Sequence, residues 1–291
     1  MIDAEQRHLR PRVDPRRIWA GEDPRLDPRF LPAARPVFRL PAFWAKAALT
    51  DGGASPRLRA LFRRGDRALC LIHPLSPARP EAEPTAITLY ATPTASIRTL
   101  LVWRAADPAH PFFAKLSLPA VLGGEHRALP ASTAEACVRR SALLQTIGSK
   151  RGLRLLPETL AIASPSGAFL LRELPAGLAL TPWFALPEHG LLADLSRLHR
   201  LSREKLVRQR LLGPFLRAWM SSALEQGWTC DAHAQNLLVE RNRRGLLTGR
   251  FFVRDLEDVG VDLPFVHAAH PRARRQALAL DTRAEQDIAE G

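Results

Sequence analysis

The sequence predicts an α+β protein in which a β-rich middle region precedes helices and a β-hairpin. Between residues 85 and 118, short apolar runs are separated by turn residues, which is typical of antiparallel strands. Leucines recur at helical spacing over residues 191–201. Two more apolar runs, 237–240 and 251–255, flank a turn that contains Gly245, and this pattern indicates a hairpin.

Length and composition exclude several classes of protein. The 291 residues, 46% of them hydrophobic and 24% charged, suffice for one large domain or two modest ones and exclude disorder along the whole chain. No apolar run approaches the roughly 18 residues of a membrane span. The polar start, Met1–Arg7, does not resemble a signal peptide, so we expect a cytoplasmic protein without a membrane partner. Three widely spaced cysteines form neither a disulfide framework nor a metal pattern.

The net charge of +13 points to small anions rather than to nucleic acid. Only four of the 42 basic residues are lysines, which is typical of a GC-rich genome, and no basic run reaches five residues. Tyrosine occurs once, so an aromatic platform for stacking bases is poorly supplied. The composition therefore argues against nucleic-acid binding and favours affinity for nucleotide, phosphate or polycarboxylate.

The N-terminal part is predicted to be irregular. Residues 1–41 contain seven prolines, which favours an extended arm. A short helix interrupted by Asp51–Gly53 is expected within 43–62, and the proline-rich segment 76–84 is a candidate boundary. The predicted regions are 1–84 (arm and short helical segment), 85–180 (β-rich) and 181–291 (helical, with the hairpin).

The elements of the middle region follow from local signals. Strands are predicted at 87–90, 100–103 and 112–118. The capping box Ser132–Glu135 begins a helix that runs to Ile147 and ends at Gly148. A second hairpin, with strands 160–163 and 169–172, is expected around Pro165–Gly167.

Residues 188–226 are predicted to be mostly helical. Gly213–Pro214 should kink or divide this stretch, and Gly227 should end it. We interpret its apolar stripe as part of the core rather than as a groove for a partner.

A dense polar cluster lies at the open end of the predicted C-terminal hairpin. If the two strands pair about a midpoint of 245.5, Asn236 and Asp255 meet there. Amide and carboxylate oxygens suit Mg²⁺, and Asp231 could supply a further carboxylate. An ordinary hairpin with polar ends is the alternative, and His233 could simply orient the loop. We interpret Cys230, beside Asp231, as a packed thiol.

Candidate phosphate-binding residues lie in and after the first strands. Ser96 and Thr99 offer hydroxyl donors, and Arg98 offers a guanidinium that matches phosphate geometry; a solvated loop is the alternative. Lys115 lies inside an apolar strand, where it either protects a sheet edge or points at phosphates. Arg127, after Gly123–Gly124, could reach the same anion.

In this order, these motifs resemble the ATP-site signature of a known enzyme family. Ser96-x-Arg98-Thr99, Lys115, Arg127, His233-x-Gln235-Asn236 and Arg254-Asp255 are similar to those of the siderophore synthetases that act independently of nonribosomal peptide synthetases, the aerobactin-synthetase (IucA/IucC-like) family. The resemblance covers residues 85–265. It implies a β-rich fingers region and a palm of helices plus a hairpin. Most of the N-terminal thumb and part of the palm are not matched.

The resemblance also implies an activity. ATP and Mg²⁺ would be the cofactors of a ligase that adenylates a carboxylate (citrate or a related di- or tricarboxylate) and condenses it with an amine or alcohol, releasing AMP and pyrophosphate, as in siderophore biosynthesis. Ser96, Arg98, Thr99, Lys115, Arg127, His233 and Gln235 would bind ATP. Lys115, Arg127 and His233 would be the catalytic residues. Asp231, Asn236 and Asp255 would hold the metal.

Other functions remain open from the sequence. The chain could be a non-catalytic or partner-dependent nucleotide-binding subunit of a biosynthetic complex. It could also be a kinase-like phosphotransferase, because a hairpin Asn and Asp serve γ-phosphoryl transfer equally well. The unmatched palm segments would favour a homodimer or a partner biosynthetic protein.

Overall fold

The fold is known from a computed structural model and is α+β, as predicted. The structure describes residues 36–76, 83–96, 98–119, 121–122, 125–148, 151–164, 167–175, 177–187 and 190–280. The described chain forms two compact units. The first, called the β unit, comprises residues 36–138 and 158–174. The second, called the helical unit, comprises residues 139–157 and 175–280.

The strands and helices have the following bounds. The strands are β1 (Phe38–Leu40), β2 (Ala42–Lys46), β3 (Ala48–Asp51), β4 (Arg63–Arg64), β5 (Arg67–Leu71), β6 (Glu83–Pro84), β7 (Leu89–Pro93), β8 (Thr99–Arg104), β9 (Asp107–Leu116), β10 (Val121–Leu122), β11 (Glu125–His126), β12 (Arg154–Leu155), β13 (Leu160–Ser164), β14 (Gly167–Glu173), β15 (Ala179–Pro182), β16 (Trp228–Thr229), β17 (Leu237–Arg241), β18 (Leu247–Val253) and β19 (Gly260–Val261). The helices are α1 (Pro56–Phe62), α2 (Ala131–Ile147), α3 (Leu191–His199), α4 (Arg203–Leu206), α5 (Gly213–Gln226), α6 (Leu263–Ala269) and α7 (274–280). A π-helical segment, Val207–Leu212, joins α4 to α5.

The β unit is built on an antiparallel sheet in the order β1-β7-β8-β9-β14-β13-β3. Successive side chains of a strand point to opposite faces. In β9, Ala114 and Leu116 therefore enter the main core, which α1 and the small sheet β4-β5-β2-β6 complete on that face. Lys115 projects from the other face. The predicted strands and the hairpin β13–β14 are confirmed.

The prediction of an interrupted helix over 43–62 is wrong in its first part. Residues 42–51 form β2 and β3, and the helix α1 begins only after Ser55, whose Oγ accepts from the amide of Leu58. Strands are more stable than a helix here because Phe43 and Trp44 enter the core and β3 pairs with β13, more than 100 residues later. The predicted arm also ends earlier than expected, because β1 pairs with β7; residues 1–35 lie outside the described residues.

Helix α2 spans the boundary between the units in sequence. Its first half packs Ala134, Cys137 and Val138 against Ala161 and Leu170 of the β unit. Its second half belongs to the helical unit, where Leu143 packs with Val266, Ala273 and Ala277. The helix ends at Gly148, which adopts a positive φ, as the sequence predicts.

The helical unit packs helices on a sheet in the order β12-β18-β17-β15. Phe215 of α5 contacts Phe251 of β18 edge to face. The predicted division at Gly213 is a change from π- to α-helical hydrogen bonding. Gly227 ends α5 with φ of 73°, and a side chain there would collide with Phe265. Among the described residues, no helix is long and apolar enough to cross a membrane.

Candidate functional site

Two adjacent strands of the β unit place Lys115 and Thr99 side by side. Lys115 of β9 pairs directly with Thr99 of β8, and paired residues of antiparallel strands project from the same face. Both are buried, with Lys115 only 4% exposed. A lysine so buried carries a high desolvation cost, which an anionic ligand would offset. Lys115 lies in a central strand, so the edge-protection alternative is excluded.

The loop before β8 is a tight turn held by its own hydroxyl groups. Thr94 Oγ1 donates to the carbonyl oxygen of Thr99 at 2.9 Å, and the amide of Ser96 donates to Thr94 Oγ1 at 3.2 Å. The amide of Thr99 closes the turn on the carbonyl oxygen of Ser96 at 2.9 Å. The hydroxyls of Thr99 and Ser96 lie 3.5 Å apart. The turn therefore gathers two hydroxyl groups beside the end of β8.

Arg98 and Arg127 meet although 29 residues separate them. The guanidinium of Arg98 donates through Nη1 to the carbonyl oxygen of Arg127 at 3.3 Å. That same carbonyl accepts from the amide of Leu118 at 3.1 Å, which ties the segment after β11 to the end of β9. Arg98, in turn, accepts from the amide of Leu116 through its own carbonyl. The backbone thus brings both arginines to the end of the strand that carries Lys115.

The C-terminal hairpin forms, but its register differs from the predicted one. Leu237 pairs with Val253, and the amide of Arg254 donates to the carbonyl oxygen of Asn236 at 3.0 Å. Asn236 therefore stands opposite Arg254, and Asp255 lies one residue beyond. The turn is centred at residue 244 rather than at 245.5, because Arg241 pairs with Leu247. Between this pair and Val239–Phe251, β18 contains two extra residues, which bring the pairing at the open end to within one residue of the predicted one. Gly249, with φ of 75°, lies within that insertion.

The loop that carries His233 is held mainly by backbone groups. The amide of Gln235 donates to His233 Nδ1 at 3.1 Å, and the amide of Asn236 donates to the carbonyl oxygen of His233 at 3.0 Å. His233 Nε2 lies 4.0 Å from a carboxylate oxygen of Asp231, and both side chains are about half exposed. The amide of Phe184 donates to the carbonyl oxygen of Ala234 at 3.3 Å. The hydrogen bond at Nδ1 leaves Nε2 of a neutral imidazole to carry the proton.

Arg254 is a positioning residue to which the sequence analysis assigned no role. Its Nε donates to the carbonyl oxygen of Gln235 at 3.0 Å, and its side chain is buried. Together with its amide bond to Asn236, this fixes the loop against the end of β18. The available signal was an arginine directly after an apolar strand, where a buried charge needs oxygen partners.

Asp255 has an unusual backbone conformation. Its φ of 65° lies in the left-handed region, which costs a residue other than glycine or asparagine about 1 kcal/mol. Directly after it, the guanidinium of Arg140 donates to the carbonyl oxygens of Leu256 and Glu257, at 2.7 Å and 2.5 Å. Strain of this kind concentrates at functional positions.

The residues present fit Mg²⁺ only in the presence of other oxygen ligands. Within the described ranges, no three His, Cys, Asp or Glu side chains lie close enough together to hold a metal ion. Mg²⁺, however, is commonly bound by one or two protein oxygens while waters and phosphates supply the rest. Asn236 and Asp255 at the end of the hairpin match that pattern, whereas Asp231 lies beside His233.

Cys230 is a packed thiol. It is buried in the core of the helical unit, and burial together with the nearby charge of Asp231 raises its pKa to about 12. The thiolate is therefore scarce at neutral pH, and the residue is a poor nucleophile.

The predicted residues thus fall into two sets, one in each unit. The phosphate set consists of Ser96, Arg98, Thr99, Lys115 and Arg127. The hairpin set consists of Asp231, His233, Gln235, Asn236 and Asp255.

The fold is that of the siderophore synthetases independent of nonribosomal peptide synthetases. ATP-bound aerobactin synthetase IucA from Klebsiella pneumoniae matches 84% of this chain with a TM-score of 0.64 and 17% identity. Aerobactin synthetase IucC from the same organism matches 88%, with a TM-score of 0.60 and 16% identity. Petrobactin biosynthesis protein AsbB from Bacillus anthracis matches 79%, with a TM-score of 0.53 and 16% identity.

The chain spans only about half the length of these structures. The match covers 54% of IucA, 60% of IucC and 48% of AsbB. No protein-family model and no curated protein matches the sequence.

Proposed function

We propose that the chain is an ATP-dependent ligase of the siderophore-synthetase type, which adenylates a carboxylate and transfers the acyl group to an amine or alcohol. The observation that carries the proposal is the phosphate set. Three cationic side chains and two hydroxyls lie at the ends of β8 and β9, in a fold whose solved neighbours include an ATP-bound synthetase.

The chemistry needs positive charge more than it needs a nucleophile. A substrate carboxylate oxygen attacks the α-phosphorus of ATP, the bond from that phosphorus to the bridging oxygen breaks, and pyrophosphate leaves. The amine or alcohol then attacks the acyl carbon of the acyl-adenylate and loses its proton, and AMP leaves. Both partners of the first step are anionic, so cations fixed beforehand lower their repulsion.

The residues of this chain divide that work. Lys115 and Arg127 would stabilise charge at the α-phosphate, and Ser96, Arg98 and Thr99 would bind the phosphates. His233 and Gln235 would contact the nucleotide or the substrate carboxylate. Asn236 and Asp255, with Asp231 as a further carboxylate, would hold Mg²⁺, which neutralises phosphate charge when bound. The proposed substrates are citrate or a related di- or tricarboxylate and an amine or alcohol.

Hydroxylamine-trapped pyrophosphate release tests the proposal. The assay contains ATP, Mg²⁺ and a panel of di- and tricarboxylates, and it compares the wild type with Arg98→Ala and Asp255→Ala. Arg104→Ala, on the same strand as the phosphate set but outside it, is the matched control. We expect carboxylate-dependent pyrophosphate and AMP from the wild type and the control, and a loss of activity in both test variants.

The products separate the competing functions. ADP in place of AMP would show a phosphotransferase. ATP binding without turnover on any carboxylate would favour a partner-dependent or regulatory nucleotide-binding subunit.

A further inference from the structure

An open groove of about 850 Å³ lies in the helical unit, away from the hairpin set. Its floor includes Thr248–Phe251 of β18, and one wall is the exposed side of α5. The hairpin set lies at the other end of β18, about 20 Å from Gly249 along the strand. The groove is therefore a separate feature from the hairpin set.

The wall formed by α5 carries an exposed apolar row. Leu216, Met220 and Leu224 of α5 line the groove at intervals of four residues and are 53%, 45% and 67% exposed. Leu212, the last residue of the π-helical segment, continues the row beyond the groove and is 46% exposed. Together they are four of the eight large hydrophobic residues exposed in the described part of the chain. Side chains spaced by four lie along one side of a helix, so the row is about 18 Å long. An apolar row of that length is typical of an interaction surface.

The rest of the groove is basic. Its lining includes Arg151, Arg154, Arg210 and Arg217, against one carboxylate, that of Glu225. Arg250 also lines it but is paired with buried Glu240. Within the described ranges, no carboxylate forms an ion pair with Arg151, Arg210 or Arg217. The groove thus presents an aliphatic stripe flanked by uncompensated positive charge.

We propose that this groove binds an acidic amphipathic α-helix of a partner protein. The aliphatic row would pack on the apolar face of such a helix, and the arginines would pair with carboxylates along its edges. A second copy of this chain fits poorly, because an isologous contact would bring the same arginines together. A lipid bilayer would pack against a convex or flat protein surface better than against a groove. A bound nucleic acid would leave the aliphatic row without an apolar partner.

A designed peptide tests the groove directly. The probe is a fluorescein-labelled helical peptide of about 18 residues with one leucine face bordered by glutamates; at about 27 Å it is longer than the row and can span it completely. The control peptide has the same composition, with the order permuted so that no apolar face forms. Binding is measured by fluorescence anisotropy at about 0.15 M salt, where weak surface attraction is screened. The variants are Leu216→Gln with Met220→Gln, and Arg217→Glu; Leu198→Gln on α3 and Arg243→Glu in the hairpin turn are matched exposed controls.

We expect the amphipathic peptide to bind at least about tenfold more tightly than the permuted one, with the preference lost in both groove variants and kept in both controls. Circular dichroism confirms that each variant is folded. Equal binding of the two peptides, or unchanged binding by the groove variants, would overturn the proposal.

Two further results would also overturn it. The first is a dimer in analytical ultracentrifugation that the double glutamine variant abolishes, since the occupant would then be a second copy. The second is binding to phosphatidylserine vesicles or to a DNA duplex that the same variant abolishes. Pyrophosphate release is measured in parallel, so that failure of the groove and failure of the proposed ligase activity are told apart.

Discussion

The phosphate set and the hairpin set are held in position by different means. Lys115 and Thr99 are side chains of paired strands within a seven-stranded sheet, and both are buried. Asp231 and His233 are about half exposed, on a loop held mainly by backbone hydrogen bonds. Strands position side chains more precisely than loops do. The comparison indicates that the cationic residues are in place before a ligand binds, whereas the hairpin set depends on a few contacts centred on Arg254.

The largest expected effect comes from Lys115→Met. Removing the buried cation should lower kcat/KM for pyrophosphate release about 10³-fold, as loss of a preorganised electrostatic group does. The melting temperature is measured in parallel, so that a loss of activity is distinguished from a loss of folded protein. Lys46→Met, on an exposed position of β2, is the control and should change neither quantity. Full activity of Lys115→Met would remove this residue from the proposed mechanism.

The sheet beneath the phosphate set can be weakened separately. Glu158 and Arg172 form a buried ion pair in the β unit, with side chains 1% and 5% exposed. Glu158→Gln leaves a buried guanidinium without its counter-charge and should lower the free energy of unfolding by about 3 kcal/mol in chemical denaturation. Asp194→Asn breaks the exposed pair with Arg197 and should cost less than about 0.5 kcal/mol. If the two variants lost similar amounts of unfolding free energy, burial would not be what makes the Glu158–Arg172 pair important.

The hairpin set contains strain that the phosphate set does not show. Asp255→Gly should raise the free energy of unfolding by about 1 kcal/mol by relieving the left-handed backbone, while Mg²⁺-dependent pyrophosphate release is lost. Asp258→Gly, three residues on at ordinary φ, should instead lower stability by about 0.5–1 kcal/mol. Thermal and chemical denaturation measure both variants. A loss of stability in Asp255→Gly would show that the carboxylate stabilises the fold more than the backbone strains it.

The smallest effect concerns pH at the turn end of the hairpin. His199 Nε2 accepts from the amide of Leu247 at 2.9 Å, and burial together with the charge of Arg210 lowers the pKa of His199 below 6.5. The folded state therefore favours neutral imidazole. The contribution of neutral His199 to the free energy of unfolding is complete above pH 6.5. It is lost as the pH falls through the lowered pKa of this side chain. Melting temperatures of the wild type should decline more steeply than those of His199→Gln between about pH 7 and pH 5, and equal slopes would rule out this role.

Much of the local structure was predictable because the signals are short-range. The end of α2 at Gly148, the hairpin β13–β14 and the end of α5 at Gly227 all follow from turns, glycines and apolar runs within a few residues. The start of α2 was predicted less well, because the helix begins at Ala131, one residue before the predicted cap Ser132. The burial of Lys115 was also predictable, since apolar residues flank it on both sides of β9.

The errors arose where distant residues decide the structure. Residues 42–51 form strands because their partners include β13, and a local sequence pattern cannot indicate a strand partner that is so distant along the chain. The register of the C-terminal hairpin differs by one residue because its turn is centred at residue 244 and β18 accommodates two extra residues around Gly249, neither of which symmetric pairing about 245.5 anticipates. The role of Arg254 depends on which carbonyl its guanidinium reaches, and that is a property of the folded backbone.

Neither unit is a continuous stretch of chain, and this affects how the protein can be made and divided. The strand β14 lies between β9 and β13 in the large sheet, yet it is synthesised after α2 and β12. During translation, the sheet that carries Lys115 must therefore wait for residues 167–173 to leave the ribosome. The strand β12 waits longer still, because its parallel partner β18 follows almost 100 residues later. A gene fragment cut at any single position would leave one unit without a strand or helix of its own, so dissecting the two units requires circular permutation or a linker in place of residues 158–174.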